Sequence, residues 1–519
     1  MNEPMNPPRG GAAVRMYCTG FGDCFLLAFP GRDETPVYVW IDCGALPHAS
    51  IPGGAREWFT KIMQSIKDTV GPAGVQLLVV THKHLDHLSG FYDGREVFET
   101  IPVAEVWMPW TDNPEDKKAM ALVARETTLV RVALKSAARM SEMRGHGDLR
   151  LDGMSEALNA VLEFSGGLAA VGVSTDAMQD IVRGRKTPQY LKPSLTPRIL
   201  SKAPDLRIHV LGPPEDAKFL KKMDPSGAGG REIYFGGVSI DAPQALGAAL
   251  AEDKAAPLSD EEFEQARLSF PFPPELRRPA KELSKRASTA GGTPGGLTHL
   301  HATYYGAATD PKYNWRHIDN NWLYAAAAMA IKADNFRNNT SLALAFELGE
   351  GGPVMLFPGD AQVGNWLSWH QRTDGTGPSA RDLLNRTVLY KAGHHGSENA
   401  TLKEFGLELM AKHVDVSRGR LVALVPTSHT VAKSKTSKKN PEGWDIPWAS
   451  LMRRLNELAG GRVVRIDEAA EWHQRLQQEA VPPGVEAEGW EWFKDNLKVV
   501  MDPSTSAPLY VEIAVPKQH

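Results

Sequence analysis

The chain is poor in cysteine, has no long apolar run and carries almost no net charge. Its 519 residues include only three cysteines, Cys18, Cys24 and Cys43. An odd number cannot all pair within one chain, so a disulfide framework does not organise this fold. All three fall in the first predicted hairpin, where they are expected to act as small buried residues. A reducing, cytoplasmic setting is the expectation. No apolar run approaches the roughly 20 residues that span a bilayer. Ala325 to Ala330 is far too short, so no membrane contact is expected. Met1 to Gly11 is rich in Pro and Asn and lacks the charged-then-apolar layout of a secretory signal. A formal charge of −4 gives no global basic signal for nucleic acid. No internal repeat is evident. Hydrophobic residues make up 42% and charged residues 23%, as in a soluble globular protein with a large core, and the length allows several domains.

What the chain does have is a dense cluster of metal-capable side chains. Thr81-His82-Lys83-His84-Leu85-Asp86-His87 directly follows the apolar run Val75-Gln76-Leu77-Leu78-Val79-Val80. That run is short, β-branched and entered through Gly71-Pro72-Ala73-Gly74, which predicts a buried strand. The imidazoles and the carboxylate therefore leave a strand on one turn. His82 and His84 alternate and can point to one side, and Asp86 and His87 lie further round. Imidazole and carboxylate are what Zn²⁺ or Mn²⁺ recruits, and two sites on one turn point to a two-metal centre. The bland alternative is a His-rich exposed turn without a metal.

A two-metal hydrolytic site needs a carboxylate that can bridge both ions. Asp360 ends the apolar strand of Phe357-Pro358-Gly359-Asp360, where Gly359 permits a sharp turn. The plain alternative is an Asp that caps the next helix. Gly393-His394-His395-Gly396-Ser397 also follows an apolar strand, and its flanking glycines allow close approach of backbone to a metal or phosphate.

These motifs, in this order, resemble the metallo-β-lactamase-fold hydrolases. Thr-His-x-His-x-Asp-His after a strand looks like their signature. Gly20 to Leu27 and Val37 to Gly44 resemble the family's first hairpin. Asn338-Asn339-Thr340-Ser341-Leu342, Val354 to Asp360 and Val388 to Ser397 follow in turn. The set is similar to the hydrolase domain of ComEC-type competence proteins, a branch linked to DNA uptake and degradation. The likeness covers roughly residues 12–110 and 335–519. It implies an αββα four-layer sandwich interrupted by a large, partly helical insertion. It also implies that one of His394 and His395 ligates the ion held by His82 and His84. His395 is preferred, with His394 beside the substrate. Asp42, ending Trp40-Ile41-Asp42, is implied to orient ligating imidazoles from beneath. The second ion would take Asp86, His87, Asp360 and a further His. His429, after the strand Leu421 to Val425, is the candidate. The chain departs from the pattern here, since Asn440 to Pro447 lacks the usual His. His429, Asp445 or an open position completes that site.

Three segments are expected: residues 12–110 as the first half of the hydrolase, 111–334 as insertion, and 335–519 as the second half. In the first, Ala55 to Val70 has helical spacing through Trp58, Ile62, Ile66 and Val70. The insertion reads as helical over about 111–200, with a long helix from Asp112 to Arg144. It reads as irregular over about 223–310, with strand at 205–212 between. His209 reads as a packed strand residue. In the last part, Thr340 to Leu348 and Pro353 to Phe357 read as a hairpin, and Trp448 to Leu458 as a helix stopped by Gly460-Gly461. Tyr510 to Val515 reads as a closing strand.

The chemistry implied is hydrolysis by water activated between two divalent ions, Zn²⁺ or Mn²⁺, with Asp86, His394 and Ser397 nearest the reaction. A phosphodiester of nucleic acid is the favoured substrate. Besides the resemblance, Lys433, Lys435, Lys438 and Lys439 lie among hydroxyl residues just after His429. Such side chains contact phosphate oxygens, although a solvated loop has the same composition. A small ester, lactone or cyclic nucleotide is the alternative substrate. A regulatory protein with a degenerate site, partnered through the insertion, is the third reading.

Overall fold

The structure is a computed structural model. It describes residues 4–33, 35–46, 51–124, 126–127, 173–222, 334–372, 376–410, 421–434, 443–478 and 480–517. Two compact units divide the chain. One comprises Met1–Glu126, Ala160–Val238 and Lys332–His519. The other, Thr127–Asn159 with Ser239–Ile331, lies outside the described residues apart from Thr127.

The first unit is a mixed α/β structure with two mixed sheets. In chain order its strands are β1 (Ala12–Tyr17), β2 (Cys24–Pro30), β3 (Pro36–Cys43), β4 (Val75–Val79), β5 (Val103–Pro109), β6 (Gln189–Leu191), β7 (Ser194–Leu200) and β8 (Ala203–Val210). Then follow β9 (Leu344–Leu348), β10 (Val354–Phe357), β11 (Thr387–Lys391), β12 (Val422–Val425), β13 (Val463–Arg465), β14 (Leu497–Met501) and β15 (Pro508–Val515). The eight-stranded sheet runs β14-β15-β1-β2-β3-β4-β5-β6, and the seven-stranded sheet runs β13-β12-β11-β10-β9-β8-β7.

Strands buried on both faces read as unbroken apolar runs, which is why β2 and β4 were legible. In β2, Phe25, Leu27 and Phe29 join a cluster fed by both sheets, and Cys24, Leu26 and Ala28 join a second cluster. That second cluster includes Trp58, Phe59, Ile62 and Ile66 of helix α1 (Ala55–Val70) and Leu88 and Phe91 of helix α2 (Leu85–Asp93). A third cluster joins Ala345, Leu356 and Ala423 to Trp366 and Trp369 of the helix Val363–Trp369 and Leu451 and Leu455 of the helix Ala449–Ala459. The three cysteines are free thiols, and Cys24 pairs in register with Cys43 across β2 and β3.

The helix, hairpin and closing strand expected at α1, β9–β10 and β15 are present. Gly460 stops Ala449–Ala459 in the left-handed conformation, as the sequence implied. The insertion boundary needs correction. Within the segment read as insertion, β6 extends the first sheet and β7 and β8 extend the second. The helix expected to start at Asp112 instead begins at residue 117, after a 3₁₀ turn over Trp110–Asp112. The rest of that long helix and the irregular 223–310 stretch lie outside the described residues. His209 is a packed strand residue, with Nε2 2.8 Å from Glu347 Oε2.

Strands β3, β4 and β5 run parallel, as do β10, β11 and β12. In such sheets, chemistry collects where the parallel strands end. Asp42, His82, Asp360 and His395 all sit at or just past such ends. No helix among the described residues is long and apolar enough to cross a membrane.

Candidate metal centre

Four histidines converge on the strand ends, and three of them, His82, His87 and His395, have a hydrogen-bonding partner behind the ring. His82 and His84 leave β4 before α2, whose first turn carries Asp86 and His87. All four are buried, as are Asp360 after β10 and His395 after β11. His87 Nδ1 lies 2.8 Å from Asp42 Oδ2, and His395 Nδ1 lies 2.7 Å from the carbonyl oxygen of Pro426. His82 Nδ1 lies 3.1 Å from Thr81 Oγ1. His84 turns the other way, with Nε2 3.5 Å from Asp334 Oδ1. Outer partners of this kind fix the tautomer and aim the opposite nitrogen.

The inner atoms face one another. His395 Nε2 is 2.6 Å from Asp86 Oδ2 and 3.9 Å from Asp360 Oδ2. His87 Nε2 is 3.2 Å from Asp360 Oδ2 and 3.7 Å from Asp86 Oδ2. His82 Nε2 stands 3.0 Å from His84 Nδ1 and 4.0 Å from Asp360 Oδ2. A tetrahedral ion with bonds of about 2.0–2.1 Å keeps its ligand atoms about 3.3–3.4 Å apart. Asp86, His87, Asp360 and His395 offer four atoms within 4.8 Å of one another. Asp86 Oδ1 is buried with no hydrogen bond. The donor set and this orphaned oxygen fit a divalent cation.

The charges are arranged to match. Burial, ahead of neighbouring imidazoles, pushes His82 well below the usual histidine range. Burial and Arg337 do the same to His84, so both offer neutral nitrogens. Burial alone would also keep His87 neutral, but Asp360, Asp86, Asp23 and Asp42 outweigh it and raise it well above that range. Asp360 goes well below the carboxylate range. Burial opposes ionisation there, but His87 and Lys391 overcome it.

The backbone is strained at the same place. Four described non-glycine residues have positive φ, and three of them are Asp42 (54°), His394 (44°) and His395 (55°). Strained conformations of this kind persist where the surroundings over-determine them. Gly359 makes the sharp turn before Asp360 at φ 59°.

Several expected residues take different places. His395, and not His394, enters the centre, its ring tilted 47° to that of Phe21 with centroids 4.3 Å apart. The described residues nearest its Nε2 include Asp86 and Asp360, at 2.6 Å and 3.9 Å. His394 has Nδ1 2.8 Å from Ser397 Oγ and Nε2 3.4 Å from Asn338 Nδ2. Burial pushes His394 down to about 4. His429 is exposed at the start of the helix His429–Ser434, and the structure does not bring it to the cluster. Asp445 is also exposed and pairs with Lys433 at 3.7 Å. Strand β12 contributes the Pro426 carbonyl instead. Lys435, Lys438 and Lys439 lie outside the described residues.

Three participants carried no role in the sequence reading. Lys391 ends β11 as a buried ammonium, 2.5 Å from Asp23 Oδ2, 3.2 Å from Asp360 Oδ1 and 3.0 Å from the carbonyl of Gly359. A lysine closing an apolar strand was the available signal for it. Asp23 lies in the quoted Gly-Phe-Gly-Asp segment. Asp334 had no signal beyond its nearness to Asn338 and Asn339.

Compared with known proteins, the chain matches no family model and no curated protein.

Proposed function

We propose that this protein is a metal-dependent hydrolase of the metallo-β-lactamase type that cleaves phosphodiesters at a two-ion centre. The observation that carries it is the convergence of the two parts of the chain on one point. His87 Nε2 comes 3.2 Å from Asp360 Oδ2, and His395 Nε2 comes 2.6 Å from Asp86 Oδ2. The four-layer αββα arrangement is part of the same reading. Its support is a cluster fed by both sheets and two further clusters that join sheet residues to helices.

Bound Zn²⁺ or Mn²⁺ would supply Lewis acidity and a water of lowered pKa. The chain's own residues do the rest. Lys391 Nζ and the His394 backbone N–H both occupy Asp360 Oδ1, which leaves Oδ2 directed at the imidazoles. His394, neutral near pH 7, and Ser397 form a hydrogen-bonded pair beside the centre. That pair can donate a proton-bearing contact to a phosphoryl oxygen.

Nucleic acid is the preferred substrate class, through the lysines from Lys433 onward. The charge of −4 and the pairing of Lys433 with Asp445 favour a small ester or cyclic phosphodiester as the second reading. The test is metal analysis of the purified protein, then a nuclease and phosphodiester screen in Zn²⁺ and Mn²⁺ at several salt concentrations. Retained metal and cleavage that falls steeply with salt are expected for nucleic acid, because phosphate contacts are lost. Salt-insensitive cleavage would transfer the assignment to small substrates. A protein without metal or turnover would sink the hydrolase reading.

A further inference from the structure

Strands β2 and β3 keep one register from the Pro30–Pro36 pair to the Phe25–Ile41 pair. Continued regularly, that ladder would set Cys24 opposite Asp42. Instead the register shifts, and Cys24 faces Cys43. Asp42 is the extra residue of this bulge and takes the left-handed conformation at φ 54°. The bulge has two consequences. It carries the Asp42 carboxylate to Thr81 and His87. It also sets two thiols side by side. Facing residues of an antiparallel ladder have Cα atoms about 4.5–5.5 Å apart. A disulfide spans Cα atoms about 4.4–6.8 Å apart. Both cysteines are fully buried in the cluster shared with α1 and α2. The thiols interact directly: burial first, and then Cys24, pushes the Cys43 thiol well above its usual range.

The same pair is tied into the support of the metal turn. Asp23, just before Cys24, donates its backbone N–H to Asp86 O at 2.9 Å. Gly44, just after Cys43, donates to Asp23 O at 3.0 Å. A methyl group on Gly90 of α2 would stand 2.6 Å from Cys43 Sγ. That sulfur is therefore seated against the helix that carries Asp86 and His87. Turning it toward Cys24 withdraws it from α2 and pulls on the neighbouring Asp42.

We propose that Cys24 and Cys43 form a reversible redox site, closed to a disulfide by hydrogen peroxide, and that closure loosens the metal turn. Both thiols are fully buried, so a small uncharged oxidant is the class that fits. One sulfur, as thiolate, attacks a peroxide oxygen. An S–O bond forms, the O–O bond breaks, and the departing oxygen leaves as water. The second thiol then attacks the sulfenic sulfur. The S–S bond forms, the S–O bond breaks, and the hydroxyl leaves as water with the thiol proton. Two thiols are thereby oxidised and one peroxide is reduced to water. A dithiol reductant reverses the change. The cross-link stands independently of the metal reading, and its effect on Zn²⁺ rests on that reading.

The experiment treats the full, metal-free chain with hydrogen peroxide, then quenches, alkylates and digests it. Peptide mass spectrometry should find Cys24 joined to Cys43 and Cys18 alkylated, and dithiothreitol should return both thiols. Amide hydrogen exchange over residues 86–90 should quicken in the oxidised chain and recover on reduction. Zn²⁺ affinity, read by chelator competition, should fall by about 10–100-fold, the size of effect expected when the carboxylate behind a ligating histidine is displaced. Cys24→Ala and Cys43→Ala, each checked by thermal melt, should lose both the cross-link and these responses, which separates them from methionine oxidation. Oxidation confined to Cys18, or sulfinic acids without a cross-link, overturns the redox site. A cross-link that leaves exchange over residues 86–90 unchanged overturns the coupling. Wild type that binds no Zn²⁺ overturns the metal reading alone, because mass and exchange judge the cross-link without metal.

Discussion

Asp42 Oδ2 lies 2.8 Å from His87 Nδ1, and the same carboxylate accepts from the Thr81 backbone N–H at 2.8 Å and the Thr81 hydroxyl at 2.6 Å. One residue at the end of β3 thus fixes both the start of the histidine turn and the ring that closes it. A carboxylate has only acceptors, so Nδ1 carries the proton and Nε2 faces the centre.

Replacing Asp42 by Asn keeps the size but no longer guarantees that tautomer. Zinc affinity should fall by about 10–100-fold, read by chelator competition, while the circular dichroism spectrum stays as in wild type. Unchanged affinity would remove Asp42 from the support of the centre.

Lys391 is a buried cation between two buried carboxylates, Asp23 and Asp360. Lys391→Met removes the ammonium from both and leaves His87 as a neighbouring cation. Breaking a buried pair by removing one partner costs roughly 3–5 kcal/mol. The metal-free variant should therefore unfold at markedly lower denaturant. Adding Asp23→Asn should restore roughly 1–3 kcal/mol of this, since the two sites are coupled. A single variant that unfolds at the wild-type midpoint would refute the account.

The centre was more legible than its surroundings. His82, His84, Asp86, His87 and Asp360 declared themselves because polar metal-type residues directly followed apolar strands. Strand β7 did not. It is an edge strand in which only Leu200 is buried, with Pro197 inside it. Proline and polar residues are tolerated at an edge, where one side of the ladder is unpaired, so the pattern resembles a loop. The three residues of β6 are too few to show alternation. Choosing between His394 and His395 needed the backbone, because the left-handed turn alone decides which ring faces Asp86. His429 failed as a ligand for a similar reason. A strand end predicts a place near the centre, and the direction of the following helix decides what enters it.

Metal binding should release protons. Burial favours neutral His87 and His395, but surrounding carboxylates outweigh it and raise both above the usual histidine range. In the metal-free protein both therefore hold a proton to higher pH than His82 and His84 do, and an ion at a protonated ring must displace it. His82 and His84 are depressed, chiefly by burial, and have no proton to give. Calorimetric titration in buffers of different ionisation enthalpy should show proton release on Zn²⁺ binding. Release should fade as pH rises above the raised values. Metal binding without proton release would contradict these directions.

Gly44 tests whether the first hairpin holds the metal turn by contact. A methyl group there would stand 2.5 Å from Leu85 O, 2.5 Å from Asp86 C and 2.6 Å from His87 N. These are backbone atoms at the start of α2, and they cannot swing aside as a side chain would. Asp23 N also donates to Asp86 O at 2.9 Å, and Gly44 N donates to Asp23 O at 3.0 Å, so the segments are tied together. Gly44→Ala should thus push Asp86 and His87 away from Asp360 and His395. Overpacking of this kind costs roughly 1–3 kcal/mol, so the protein should still fold. Zn²⁺ binding should be weakened by at least about tenfold, because both displaced residues belong to the candidate ligand group. Gly184→Ala is the control. At φ −64° its added methyl meets only ordinary contacts at 3.4 Å, and it should leave metal binding alone while raising stability by about 0.4–1 kcal/mol. Wild-type zinc affinity in Gly44→Ala would show that α2 is positioned by its own packing on α1 and not by the hairpin.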